Sequence, residues 1–500
     1  MPNESPSHPS PVSTGIEGLN DVLRGGFPAN RLYLIEGDPG TGKTTLALQF
    51  LLEGACLGEP GLYVTLSESS DELRAVAQSH GWSLDQVQLH ELAPTTESAR
   101  PDDDYTILHP SEVELGETTG AVFRQVERTN PARVVFDSLS EIRLLAREPL
   151  LYRRQILALK QFFSGRRCTV LLLDDRTAEQ NDLQLHSISH GVVRLEQLAT
   201  EFGAERRRLR VNKLRGLDFR GGYHDFRIVT GGMRVFPRMV AKEHQQPRED
   251  GTVESGVPEL DALLGGGLHR GTSALLMGPA GAGKSIVATQ YATSAAVRGQ
   301  RSMIYLFDEQ DETSLVRADA LGLPLRSHVE GGRIKLQQVD PAQLSPGEFI
   351  QGVRRGVERD DARVVVIDSL NGLLASMPEE RSLIVQLHEL LTYLNHRGVV
   401  TLMLMAQHGL IGSSMSTPVD VTYLADTVLL FRYFEVTGEV RRAISVMKNR
   451  TGRHESAIRE LHFGPGVRVG PPLTEFQGVL SGIPTIVKTE KSAAQHGSRQ

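Results

Sequence analysis

Cysteine is nearly absent: Cys56 and Cys168 are the only two in 500 residues. They lack metal-type spacing and cannot build a disulfide framework, which points to a reducing compartment. Aromatic residues make up only 5% of the chain, are scattered, and include a single tryptophan, Trp82. That argues against an aromatic-lined channel for single-stranded nucleic acid. An excess of positive charge is missing as well. The formal net charge is −7, so no general nucleic-acid surface is expected, although a local basic channel is compatible with that total. Nowhere do about 18 apolar residues run together, so no membrane span is expected. The longest such run, VVTLMLMA from Val399 to Ala406, has the length of a buried parallel strand. The N-terminal MPNESPSHPSPVS lacks the basic and apolar regions of a signal peptide. What remains, 39% apolar and 23% charged, is the composition of an ordinary globular protein, expected in the cytoplasm. At this length more than one hydrophobic core is expected.

The chain says the same thing twice. STGIEGLNDVLRGGF (Ser13 to Phe27) is echoed by ESGVPELDALLGGGL (Glu254 to Leu268), and GDPGTGKTT (Gly37 to Thr45) by GPAGAGKSI (Gly278 to Ile286). RVVFDSLSEIRLL (Arg133 to Leu145) then matches RVVVIDSLNGLLA (Arg363 to Ala375), and LRVNKLRG (Leu209 to Gly216) matches ISVMKNRTG (Ile444 to Gly452). Four echoes in one order indicate tandem duplication of a domain far larger than any solenoid repeat. The expected division is a disordered segment 1–12, a first domain 13–240, a polar linker 241–251, a second domain 252–487 and a disordered tail 488–500. Apolar runs alternate with helical patterns in each half, which predicts an α/β fold with a mainly parallel sheet and helices on both faces. Each half closes on strand-like segments turned at Gly203 and Gly438, read as an antiparallel hairpin at the sheet edge.

The pattern G-x-x-x-x-G-K-[ST] is met by Gly37, Asp38, Pro39, Gly40, Thr41, Gly42, Lys43, Thr44 and Thr45. It is met again by Gly278, Pro279, Ala280, Gly281, Ala282, Gly283, Lys284, Ser285 and Ile286. Glycines let the backbone wrap closely around phosphate with N–H groups inward, and the following helix adds its positive end. The lysine reaches β- and γ-phosphates, and the Thr44 or Ser285 hydroxyl ligates Mg²⁺. Both loops lie between a strand and a helix, so two ATP sites are expected.

Phosphoryl transfer also needs a metal-side aspartate and a group that positions the nucleophile. Asp137 and Asp368 each end an apolar strand ahead of Ser-Leu and are assigned to Mg²⁺; such an aspartate can equally cap a turn. For activation of the nucleophile the candidates are Glu68 and the pair Asp308 and Glu309, which follow the second strand of each half. The bland alternative is that they cap the next helix.

Taken together, these residues resemble the KaiC family: two-domain RecA-superfamily ATPases and autokinases, including the cyanobacterial clock protein and its bacterial relatives. The resemblance runs from about Ser13 to about Val487. It implies two tandem RecA-like domains that form ATP-bridged homo-hexameric rings. In such rings Lys213, Arg215, Lys448, Arg450 and His454 would reach the neighbouring subunit's triphosphate. It also implies slow ATP turnover in the N-terminal layer, and serine/threonine autophosphorylation in the C-terminal layer of a signalling or timing regulator with protein partners. The alternative reading of these cations is a basic strand edge that keeps the sheet soluble, which suits Glu205–Arg210 (ERRRLR) better.

The chain departs from the family pattern in places. The acidic pair is Ser67-Glu68 in the first copy, and serine is no base at neutral pH without help. The family's phosphorylated Ser-Thr pair falls on Thr422-Tyr423, so Thr422 is the candidate acceptor. Phe219 stands where the first domain's trans histidine would be, and the tail after Val487 is short. RPDDDY (Arg100 to Tyr105) reads as a solvated acidic loop. A rival function is a DNA-dependent ATPase of the RecA or DnaB kind, which shares the core.

Overall fold

The computed structural model describes residues 11–92, 110–146, 148–175, 183–199, 203–245, 247, 250–375, 382–407, 421–481 and 484–486. The segment 1–10, the RPDDDY stretch and the tail 488–500 lie outside the described residues. The chain forms two compact units, Met1–Arg238 and Met239–Gln500.

In the first unit six strands run parallel, in the order Val87–Glu91, Gly61–Thr65, Arg133–Asp137, Thr169–Asp175, Leu32–Gly37, Gly191–Leu198. Three antiparallel strands, Arg206–Leu214, His224–Val229 and Gly232–Phe236, extend the sheet beyond Gly191–Leu198. The second unit repeats this order: Ile334–Gln338, Arg301–Leu306, Ala362–Asp368, Val400–Ala406, Ser273–Gly278, Thr427–Val436. Its antiparallel extension is Glu439–Asn449, Arg459–Gly464 and Gly466–Pro472. The architecture is the expected doubled α/β fold. Its edge carries two strands more than a hairpin.

The central strands are buried on both faces, as near-continuous apolar runs should be. Leu32, Tyr33, Leu34 and Ile35 are each 3% exposed or less, and alternate residues fall into two cores on opposite faces of the sheet. The run beginning at Val399 forms one of these buried strands, Val400–Ala406. Trp82 packs against a core face of the first unit.

Short segments flank the cores. Pro11–Val12, inside the segment expected to be disordered, pair with Phe27–Pro28. Ala241–His244, inside the expected linker, form a 3₁₀ turn with Ala241 buried in the second unit. The Ala241 amide donates to Glu389 Oε2 at 2.9 Å, and the His244 ring stands edge-on to Tyr393.

Candidate active site

Each G-x-x-x-x-G-K-[ST] segment leaves the central strand and enters a 14-residue helix, Lys43–Cys56 or Lys284–Val297. The last glycine of each loop precedes that helix with φ of 102° at Gly42 and 103° at Gly283, a backbone that only glycine adopts cheaply. Space is closed there too. A Cβ on Gly42 would meet Ile228 Cδ1 at 2.5 Å, and one on Gly283 would meet Phe463 Cζ at 2.0 Å. Ile228 and Phe463 belong to the antiparallel extension, so the added strands back the phosphate loops.

Both lysines are buried and curl into their own loops. Lys43 Nζ donates to the Gly37 and Asp38 carbonyls at 2.9 and 3.0 Å. Lys284 Nζ donates to those of Gly278 and Pro279 at 2.9 and 2.8 Å. Burial pulls the Lys284 ammonium down to about 8, with Asp368 opposing. Such a desolvated cation beside a glycine loop is matched to an anionic ligand.

The two aspartates lie where the sequence predicted, at the ends of the strands Arg133–Asp137 and Ala362–Asp368, and the peptide after each is cis. Burial lifts both carboxyls. Asp368 rises to about 6, with the Ser285 hydroxyl opposing and Glu309 adding to the rise. Asp137 also rises, opposed by a hydrogen bond from Tyr63, whose hydroxyl also interacts with Thr44. A buried carboxylate beside a Thr or Ser hydroxyl, held out of its ordinary range by desolvation, fits a divalent cation that would restore its charge. Among the described residues no cluster of three His, Cys, Asp or Glu forms a protein-only metal cage.

The candidate bases differ between units. Leu66 N–H donates to the Asp137 carbonyl and Phe307 N–H to that of Asp368, each at 2.7 Å. Ser67-Glu68 and Asp308-Glu309 are therefore equivalent positions. Glu68 is pushed up by burial first and then by Asp137, Glu72 and Asp175, and its Oε2 is buried without a hydrogen-bond partner. Ser67 is exposed. In the second unit both oxygens of Glu309 are taken by Arg317 at 2.6 Å, and Asp308 accepts from Ser369.

Lys213, Arg215, Lys448 and Arg450 are not brought to the loops of their own unit. Lys213 pairs with Val192, beside Leu34, and Lys448 pairs with Val428, beside Leu275. Each stands three residues, roughly 10 Å along the strand, before the end that carries the phosphate loop. A β-bulge precedes each lysine, at the steps Val192/Val193 and Val428/Leu429, and bulges re-aim side chains. Lys213 Nζ bonds the carbonyls of His186 and Ser189, and Lys448 Nζ those of Thr422 and Ala425. Arg215 reaches the Ser187 carbonyl and Arg450 that of Tyr423. Thr422 is half-buried beside Lys448; Tyr423 and His454 are exposed. Phe219 joins the first core as packing. The arginine run pairs locally, Arg207 with Glu205 and Arg208 with Glu196.

Four site residues escaped the sequence reading: Tyr63, Ser140, Asp175 and Arg317. Asp175 Oδ1 lies 2.6 Å from Lys43 Nζ, and its Oδ2 accepts from Ser140 at 3.2 Å. The signal was present, since Asp174-Asp175 terminate an otherwise apolar strand. Only the sheet order reveals that this strand lies beside the phosphate loop.

A family model described as "ATPase: KaiC" matches residues 12–240 and 253–473. The circadian clock protein KaiC3 of Synechocystis sp. is 26% identical over 95% of this chain and 94% of its own. The circadian clock oscillator protein KaiC of Parasynechococcus marenigrum is 26% identical over 96% of this chain and 94% of its own. That of Parathermosynechococcus lividus is 27% identical over 96% and 88%.

Proposed function

The chain belongs to the KaiC family of ATPases, with two tandem domains, and on that premise we propose that it is a nucleotide-dependent homo-hexamer. In this reading it is a cytoplasmic signalling or timing regulator acting through partner proteins. Its N-terminal sites hydrolyse ATP slowly, and its C-terminal sites transfer phosphate to a serine or threonine of an adjoining subunit. One observation carries the reading. In both units the loop lysine and the carboxylates occupy one end of the parallel strands, while the Lys-x-Arg pair occupies the other. Among the described residues neither unit brings these cations to its own loop, and a second copy would supply them in trans.

Lys43 and Lys284 would hold the β- and γ-phosphates, with loop amides and the helix end sharing the charge. Thr44 with Asp137, and Ser285 with Asp368, would hold Mg²⁺, which when bound offsets phosphate charge. Glu68 in the first unit is raised toward the range of an effective base and accepts the proton of the attacking water. In the second unit Arg317 engages Glu309, so Asp308 is the freer carboxylate and takes the proton of water or of a hydroxyl. Trans cations stabilise charge on the transferring phosphoryl group. Thr422 lies at the Lys448 end, the end offered to a neighbour, and its hydroxyl is the proposed acceptor.

Mass photometry with and without ATP and Mg²⁺ tests the assembly: hexamers should appear only with nucleotide. A particle that stays monomeric at saturating ATP refutes the trans site. Labelled ATP followed by peptide mapping should place phosphate on the peptide bearing Thr422, and a label found only elsewhere refutes that acceptor.

A further inference from the structure

One carboxylate that touches the first loop's lysine has no counterpart in the second. In the first unit Gly37 is in register with Asp175; in the second Gly278 is in register with Ala406. Asp175 is held from two sides. Lys43, buried to 7% exposure, meets Oδ1 at 2.6 Å, and Ser140, three residues after Asp137, donates to Oδ2 at 3.2 Å. The second unit has no such group at this place. There Asn371, the counterpart of Ser140, bonds the backbone of Ala406 in both directions.

We propose that Asp175 is a built-in competitor for Lys43, which makes the first site bind nucleoside triphosphates more weakly than the second and ties its occupancy to cations lent by a neighbour. The inference rests on the ATP reading of both loops. A triphosphate entering the first loop takes Lys43 from Asp175. Ser140 keeps the released carboxylate in place, so it faces the incoming phosphates as a like charge. A trans cation, Lys213 or Arg215 of an adjoining copy, would offset that repulsion. The second loop has only alanine there: Asp368 acts on Lys284 through space, but among the described residues its ammonium is bonded by the Gly278 and Pro279 carbonyls alone, which it exchanges for phosphate.

Binding of a fluorescent, non-hydrolysable ATP analogue with Mg²⁺ measures this in the full-length chain. With Lys284→Ala silencing the second loop, adding Asp175→Asn should tighten binding at the first by about tenfold. General structural damage does not tighten binding. With Lys43→Ala silencing the first loop, Ala406→Asp should weaken the second by a similar factor. Asp175→Asn that leaves the first site's affinity unchanged or lower overturns the inference and leaves the ATP reading standing. An Ala406→Asp chain with unaltered affinity likewise counts against the carboxylate as the cause. If neither Lys284→Ala nor its Asp175→Asn derivative binds the analogue, the first loop is no triphosphate site, and both readings fall.

Discussion

Arg317 grips both oxygens of Glu309, Nη1 to Oε2 and Nη2 to Oε1, each at 2.6 Å. Among the described residues the first unit has no such clamp: the residue eight places after Glu68 is Val76, and Glu68 Oε2 is buried without a partner. The pair orients Glu309 beside Asp368, and misplacement in a phosphoryl-transfer site is costly. Arg317→Met is expected to cut second-site turnover by about tenfold or more, with a stability loss of only about 1 kcal/mol because the pair is partly solvated. Melting curves, and ATPase rates in a Glu68→Gln background that silences first-site chemistry while Lys43 still holds nucleotide for assembly, check this. An unaltered rate would show that Glu309 needs no orientation.

The two loop lysines should divide their effects. Lys284→Ala is expected to remove most phosphate transfer while hexamers still form. Lys43→Ala is expected mainly to impair assembly. Turnover assays beside mass photometry separate the two, and equal loss of turnover from both with assembly intact would defeat the division of labour.

Gly283→Ala asks whether the loop depends on its backing strands. The added methyl must clear Phe463 at 2.0 Å and hold φ near 103°. That combines overpacking with a conformation costing about 1–2 kcal/mol for alanine. Analogue binding at the second loop should be lost, and Phe463→Ala in the same chain should recover part of it. Recovery to the wild-type level would mean that φ contributes nothing.

Acid should weaken the first unit through His224. Its ring is 1% exposed, accepts from the Arg238 amide and faces the Arg220 carbonyl. Burial pulls it down to about 4, below its value of about 6.5 in an unfolded chain. The unfolded state therefore binds the extra proton in that window. The contribution of His224 to stability is level above about pH 6.5 and falls toward pH 4, by roughly 3 kcal/mol in all. In His224→Gln the acid sensitivity should shrink. Urea melts at pH 7.5 and 5.5 that show the same difference for both proteins would disprove the assignment.

The doubled fold, the loops and the two aspartates were legible because each is written in contiguous residues. A glycine loop between an apolar strand and a helix needs no knowledge of distant chain. Asp175 and Arg317 were not legible, since their roles depend on which strand or helix turn lies alongside. Tyr63 looked like one more apolar residue of a buried strand until its hydroxyl met Asp137. The extra edge strands were hidden because short segments interrupted by arginine alternate too weakly to separate from loops.

In the proposed ring, the placement of Lys284 and Lys448 at opposite ends of one sheet would also have a genetic consequence. A chain crippled at its loop still offers sound cations, and a chain crippled at Lys448 still offers a sound loop. Co-expressed, the two defective alleles would complement wherever unlike chains sit side by side in the right order. A single inactive allele would spoil interfaces belonging to healthy chains and behave as a dominant mutation.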